Sequence, residues 1–224
     1  MPAISRTAVT TSSTPSPSVC ALRADLATYD GVENLWKQLQ EIGRPLDVAV
    51  LNAGRSIGGA FATDTDLDDE LKLIALNVNA VVHLAKRVVP GMLARGTGRI
   101  LITSSVSATM PTPYETVYGP SKAFGYSFAE SLREELRGSG VTVTALLPGA
   151  TDSDFHQRAG MGRTAIGKGR KNDKHLVAQQ GVDALLAGKD HVVGGDQATK
   201  RQALLNRFLP EPVKARRQGA NAKP

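Results

Sequence analysis

Apolar runs of strand length alternate with stretches of helical patterning along this chain, and that alternation constrains the fold more than any other feature. Strand-like runs occupy residues 20–22, 46–51, 99–103 and 141–147, with a weaker fifth at 191–193. Helical patterns fill residues 31–42, 66–95, 117–137, 174–187 and 198–208. Strands separated by helices of this length indicate βαβ units and a parallel sheet, so the predicted class is α/β. Val48, Ala49, Val50 and Leu51 form an unbroken apolar run, as suits a strand covered on both faces. In such sheets ligands bind beyond the carboxyl ends of the strands, which directs attention to the residues just after each run.

Composition narrows the functional classes. The 224 residues suffice for one domain with a full core. Aromatic residues make up only 4%, which argues against a base-stacking surface as the main theme. A single cysteine, Cys20, excludes an internal disulfide framework and a multi-cysteine zinc site. The four histidines show no metal-ligand spacing, and no metal site is expected. No apolar run is expected to approach the ~20 residues of a membrane span, and the expected compartment is the cytoplasm. Charge is uneven. Residues 1–155 hold 13 Lys/Arg against 16 Asp/Glu, whereas residues 156–224 hold 14 against 5. A basic C-terminal third can meet nucleic acid, but its charges are dispersed and a solvated surface explains them. Residues 1–18 are rich in Ser, Thr and Pro, with neither a period nor an apolar h-region. They are expected to be a disordered leader, and residues 211–224 a disordered basic tail.

The ends of four successive strands carry small or polar residues: Asp25-Leu26, Asn52-Ala53-Gly54, Ser104-Ser105 and Pro148-Gly149. Gly54 and Gly149 would let a ligand approach the backbone closely. Singly, each is also ordinary loop chemistry. The decisive element opens the third long helix, Tyr118-Gly119-Pro120-Ser121-Lys122. Tyr and Lys four apart share one helix face. Ser105 lies thirteen residues upstream, at a strand end from which it can approach the phenol. A phenol with an ordinary pKa near 10 is a poor base at neutral pH. A neighbouring ammonium favours the phenolate, and a hydroxyl can steady a developing alkoxide. The trio therefore suits proton exchange with a carbinol oxygen.

These motifs resemble the short-chain dehydrogenase/reductase family over residues 19–210. The resemblance implies that Tyr118, Lys122 and Ser105 are the catalytic Tyr, Lys and Ser. It makes Asn77, thirteen residues before Pro90, the catalytic Asn that distorts a helix and holds a relay water; Asn79 competes for that role. It casts Asn52-Ala53-Gly54, Pro148, Gly149 and Ser153, with Tyr118 and Lys122, as contacts to a nicotinamide cofactor, NADP or NAD. Asp25 and Leu26 would meet its adenine ring. It further implies a Rossmann-like doubly wound sheet in three α/β/α layers, a small carbonyl or alcohol substrate, and a homodimer or homotetramer. Nucleic acid and membrane are not expected partners.

The family opens with a strand and a Gly-rich turn that holds the pyrophosphate at a helix N-terminus. Only 24 residues precede Asp25, fewer than a βαβ unit requires, so the sheet is expected to be N-terminally incomplete. Either the strand at 46–51 keeps an unpaired edge or the strand at 20–22 moves in beside it. Dinucleotide affinity should then be poor. Two functions follow: a short-chain oxidoreductase, or an impaired remnant or interaction scaffold without a stable cofactor site. The run from Gly162 to Gly169 resembles a P-loop, but Gly169 stands where a Ser or Thr would hold magnesium, and a flexible loop is expected. The acidic cluster from Asp64 to Glu70 is expected to cap a helix.

Overall fold

The computed structural model describes residues 5–10 and 19–223. Two strands come first, β1 (Ser5–Thr10) and β2 (Val19–Ala24), paired antiparallel in a sheet of their own. Then follow α1 (Tyr29–Glu41), β3 (Val48–Leu51), α2 (Leu67–Ile74), a π-helical turn (Ala75–Asn79) and α3 (Ala80–Arg95). β4 (Gly98–Thr103) leads through a 3₁₀ turn (Val106–Thr109) to α4 (Tyr118–Glu135) and β5 (Val141–Pro148). Two short helices, α5 (Phe155–Arg158) and α6 (Ala165–Lys168), precede α7 (Lys174–Leu186) and β6 (His191–Gly194). The chain closes with α8 (Gln197–Asn206) and α9 (Glu211–Ala222).

Strands β3, β4, β5 and β6 lie side by side in that order, all parallel. The period-two alternation of β4 sends Ile100 and Ile102 to one face and Leu101 to the other. Ile100 and Ile102 pack with Val88 and Met92 of α3, Ala129 of α4, and Val143 and Ala145 of β5. Leu101 joins Leu146 and Leu185 of α7 on the opposite face. The three-layer α/β architecture therefore follows directly from one buried strand with two apolar faces. Helix starts follow their capping residues: Thr28, Asp66, Asp173 and Asp196 each accept a backbone N–H of the first turn. The acidic cluster is explained in this way, since Asp66 caps α2 and Asp64 accepts from the N–H of Ala60 at 3.0 Å.

Three expectations change. First, the leader: Ser5–Thr10 is the extended strand β1, because its register pairs it with β2; the rest of residues 1–18 lies outside the described residues. Second, the tail: residues 211–222 form α9. Lys214, Gln218 and Ala222, four apart, are its buried residues, and they dock against α6 and the turn at Thr109. A helix stripe of Lys, Gln and Ala carries no apolar period, so sequence patterning does not reveal it. Third, the histidines: His191 comes together with Glu130 and Asp190, its Nδ1 lying 3.0 Å from Asp190. Arg207 approaches its other ring nitrogen at 3.4 Å and supplies positive charge to the cluster.

The edge of β3 stays open among the described residues, and β2 does not move in beside it. Val48 and Val50 are 42% and 51% exposed, although their sequence reads as a fully covered strand. The continuous helical stretch Leu67–Arg95 is long and apolar enough to cross a membrane. Here its apolar residues Val88 and Met92 pack under β4, and its Leu76 and Ala80 pack against α1.

Candidate active site

One cavity of about 750 Å³ opens at the carboxyl ends of β3, β4 and β5. It is lined by Asn52, Gly54, Ser105, Tyr118, Lys122, Pro148, Gly149 and Ser153, so the sheet gathers most of the sequence-derived candidates at one rim. Asp25 and Leu26 are not among its lining residues. Leu26 is buried against α1 and the π turn, while the exposed Asp25 accepts the N–H of Ala27 at 3.1 Å. Ala53 packs in that same apolar cluster instead of lining the cavity.

Each central side chain is fixed by neighbours. Ser105 caps the 3₁₀ turn, its Oγ accepting from the N–H of Ser107 at 3.1 Å. Lys122 lies one helical turn beyond Tyr118, and its Nζ donates to the carbonyl of Thr103 at 2.9 Å. Thr103 in turn donates its hydroxyl to Asn52 Oδ1 at 2.9 Å. Burial pushes the Lys122 ammonium down to about 8. The Tyr118 phenol is buried at the cavity wall, and that burial raises its pKa. The neighbouring Ser105 hydroxyl pulls it back, and the charge of Glu115 adds to the rise. Here the expectation changes. In this arrangement desolvation outweighs the help that a nearby ammonium was expected to give the phenolate, so Tyr118 stays a protonated phenol at neutral pH.

Asn77 is buried in the π turn, whereas Asn79 is exposed, which settles which of the two faces the interior. Its Oδ1 accepts from the N–H of Arg55, and its Nδ2 donates both to the Arg55 carbonyl and to Ser121 Oγ, each at 2.9 Å. The extra residue of a π turn re-aims a side chain out of the regular helical ladder. Here it lets one carboxamide fasten the loop after β3 to the helix that carries Tyr118. Gly54 sits in the same nest. A Cβ added there would lie 3.0 Å from Lys122 Nζ and 3.2 Å from Asn77 Oδ1.

Several contributors escape sequence reading. Ser104 donates its hydroxyl to the Lys122 carbonyl at 2.7 Å, and Ser121 donates to the Tyr118 carbonyl at 2.7 Å. Asn172 is buried and ties the loop after β5 to α8 through Ala150 O and Thr199 Oγ1, both at 3.1 Å. His156 lines the cavity with its Nδ1 buried and unpartnered among the described residues; burial and the charge of Lys171 push it down to about 4, so it is neutral. Ser121, inside the Tyr-to-Lys segment, and Ser104, at the strand end beside Ser105, had a local signal; Asn172 and His156 had none.

A family model described as short chain dehydrogenase matches residues 3–163. The chain belongs to that family. A short chain dehydrogenase of Pseudocercospora fijiensis is 36% identical over 135 residues, which is 60% of this chain and 44% of that protein. Sulfoacetaldehyde reductase 2 of Chromohalobacter salexigens is 33% identical over 132 residues, 58% of this chain and 52% of that protein. Among solved structures, a short-chain dehydrogenase from Sphingobium yanoikuyae in complex with NADPH matches with a TM-score of 0.71 at 26% identity. That match covers 83% of this chain and 71% of the other. The chain spans about half the length of these curated relatives.

Proposed function

We propose that this short-chain dehydrogenase is a carbonyl/alcohol oxidoreductase that works with NADP or NAD and in which Tyr118 exchanges the substrate proton. The observation that carries this reading is the convergence of Tyr118, Ser105 and Lys122 in one cavity with Gly54 and Gly149. The residues present fit the nicotinamide end of a dinucleotide. Gly149 lets the backbone pack close against α8, since a Cβ there would lie 2.5 Å from the Thr199 methyl, and Asn52, Pro148, Gly149 and Ser153 line the cavity beside it. These residues, with Lys122, would hold that end; bound there, the nicotinamide supplies or accepts hydride.

The chain's own groups do the proton work. Ser105 orients the substrate oxygen and steadies its negative charge as an alkoxide develops. In the reductive direction Tyr118, held as a phenol, donates its proton to that oxygen. Lys122 sits behind it and steadies the phenolate that remains. Asn77 and Ser121 hold the helix and the loop in register. Assembly as a homodimer or homotetramer accords with this reading.

A second reading is favoured by one observation, the open β3 edge with its exposed Val48 and Val50. Among the described residues no strand pairs with that edge. Under this reading the chain retains the scaffold and binds cofactor weakly or not at all. Carbonyl-dependent oxidation of NADPH, assayed at millimolar cofactor, separates the two. Turnover supports the first reading; none at any cofactor concentration supports the second.

A further inference from the structure

The cavity beside Tyr118 carries polar groups that proton transfer does not use. Glu115 is 4% exposed and lines the cavity from the turn three residues before Tyr118. Its Oε1 accepts the Ser56 hydroxyl at 2.8 Å, across 59 residues of sequence. Its Oε2 has no hydrogen-bond partner among the described residues. Burial pushes this carboxyl up, while the Ser56 bond and the Lys171 charge pull it down. That second oxygen, Oε2, is open to the cavity, where water or a ligand hydroxyl can meet it. The two C-terminal helices add carboxamides: Asn206 from α8, and Gln218 and Asn221 from α9, line the same cavity. Gln218 is 8% exposed, and its amide has no partner among the described residues. Among the described residues the Asn206 amide meets only the sulfur of Met110, at 3.5 Å.

The ligand that satisfies such a lining both donates and accepts hydrogen bonds. A hydroxyl does both, and so matches carboxyl and carboxamide alike. Two cations near the cavity are already engaged. Arg170 pairs with Asp196 at 2.9 Å, and Lys171 donates to the carbonyl of Ile166. Lys122 is likewise held, by the Thr103 carbonyl, so Lys174 is the one lining cation without a partner among the described residues, which disfavours an anion as the main ligand.

We infer that the cavity selects a neutral, hydroxyl-rich ketone or its polyol, with Glu115 taking the hydroxyl next to the reacting carbon and the carboxamides of Asn206 and Gln218 taking those further along. The inference rests on the oxidoreductase reading for which carbon reacts, but binding alone tests it. L-Erythrulose and 2-butanone are open-chain 2-ketones of equal carbon count that differ in their hydroxyls. Saturation-transfer NMR titrations of both on the full chain should show erythrulose binding at least tenfold tighter. Glu115→Leu should remove most of that preference while leaving 2-butanone unchanged, and Gln218→Leu should weaken it. Glu115→Gln keeps the shape and restores part of the preference, and it stands in for Glu115→Leu if that variant does not fold. Tyr118→Phe should keep the preference. Equal binding of the two ketones, no binding of erythrulose, or an undiminished preference in both Glu115 variants would overturn the inference. Absence of turnover with the binding preference intact would instead count against the oxidoreductase reading alone.

Discussion

Asn77 donates to Ser121 Oγ at 2.9 Å across 44 residues of sequence, joining the π turn to the helix that carries Tyr118 and Lys122. Three hydrogen bonds converge on this one buried carboxamide. Asn77→Ala leaves buried backbone groups of Arg55 without partners and should cost about 1–3 kcal/mol. Ser121→Ala should cost less. The double variant should fall short of the sum, because the two share one bond. Chemical denaturation of the four proteins measures this, and strict additivity would show that the bond carries no coupling.

Lys122 gives opposite signs for rate and stability. Its ammonium titrates at about 8 in the folded protein, against an ordinary 10.5. Activity that needs the charged form should therefore fall as pH rises through about 8. The unfolded chain binds the proton more tightly, so Lys122 contributes increasing stability as pH climbs from about 8 towards 10.5. Comparing wild type with Lys122→Met isolates that contribution. The variant should lack both the falling limb of the rate and the extra gain in unfolding free energy. A wild-type rate that stays level across this window would contradict the assignment.

The open edge of β3 predicts weak dinucleotide binding. Pyrophosphate affinity depends on backbone N–H groups at a helix N-terminus that follows a strand, and no strand pairs with that edge among the described residues. Isothermal titration of the chain with NADP and NAD should detect no micromolar site. Micromolar affinity for either would show that the nicotinamide end alone suffices.

Helix α9 gives a proteolysis test. Arg216 and Arg217 are exposed side chains, but their backbone lies in a helix docked through Lys214 and Gln218. Trypsin should cut there far more slowly than in the denatured chain. Lys214→Glu should expose the site, because it replaces a buried donor to the Thr109 carbonyl with an acceptor. Rapid native cleavage at Arg216 would mean that the segment is undocked.

Much of this architecture was legible from local patterning. The runs at 99–103 and 141–147 became β4 and β5, and the stretch at 174–187 became α7, because apolar period and capping residues agree there. Tyr118, Lys122 and Ser105 were legible because they sit at element ends with a fixed spacing. Other features depend on closeness that no spacing encodes. Glu115 meets Ser56 across 59 residues, and Asn172 reaches Thr199 across 27. The rise in the Tyr118 pKa was also hidden, since burial is a property of the assembled cavity. The exposure of Val48 and Val50 runs against their unbroken apolar run, which reads as a strand covered on both faces, whereas the open edge beside them is one of the two outcomes the short N-terminal segment implied.

The central claim is that Tyr118 moves the substrate proton, and one measurement meets it directly. Carbonyl-dependent loss of NADPH absorbance is followed at millimolar cofactor for wild type and Tyr118→Phe, with both proteins checked for equal thermal unfolding. The expected result is turnover by wild type and a loss of about 100-fold or more in the variant, the scale of a missing general acid. Turnover that survives Tyr118→Phe unchanged would contradict the claim.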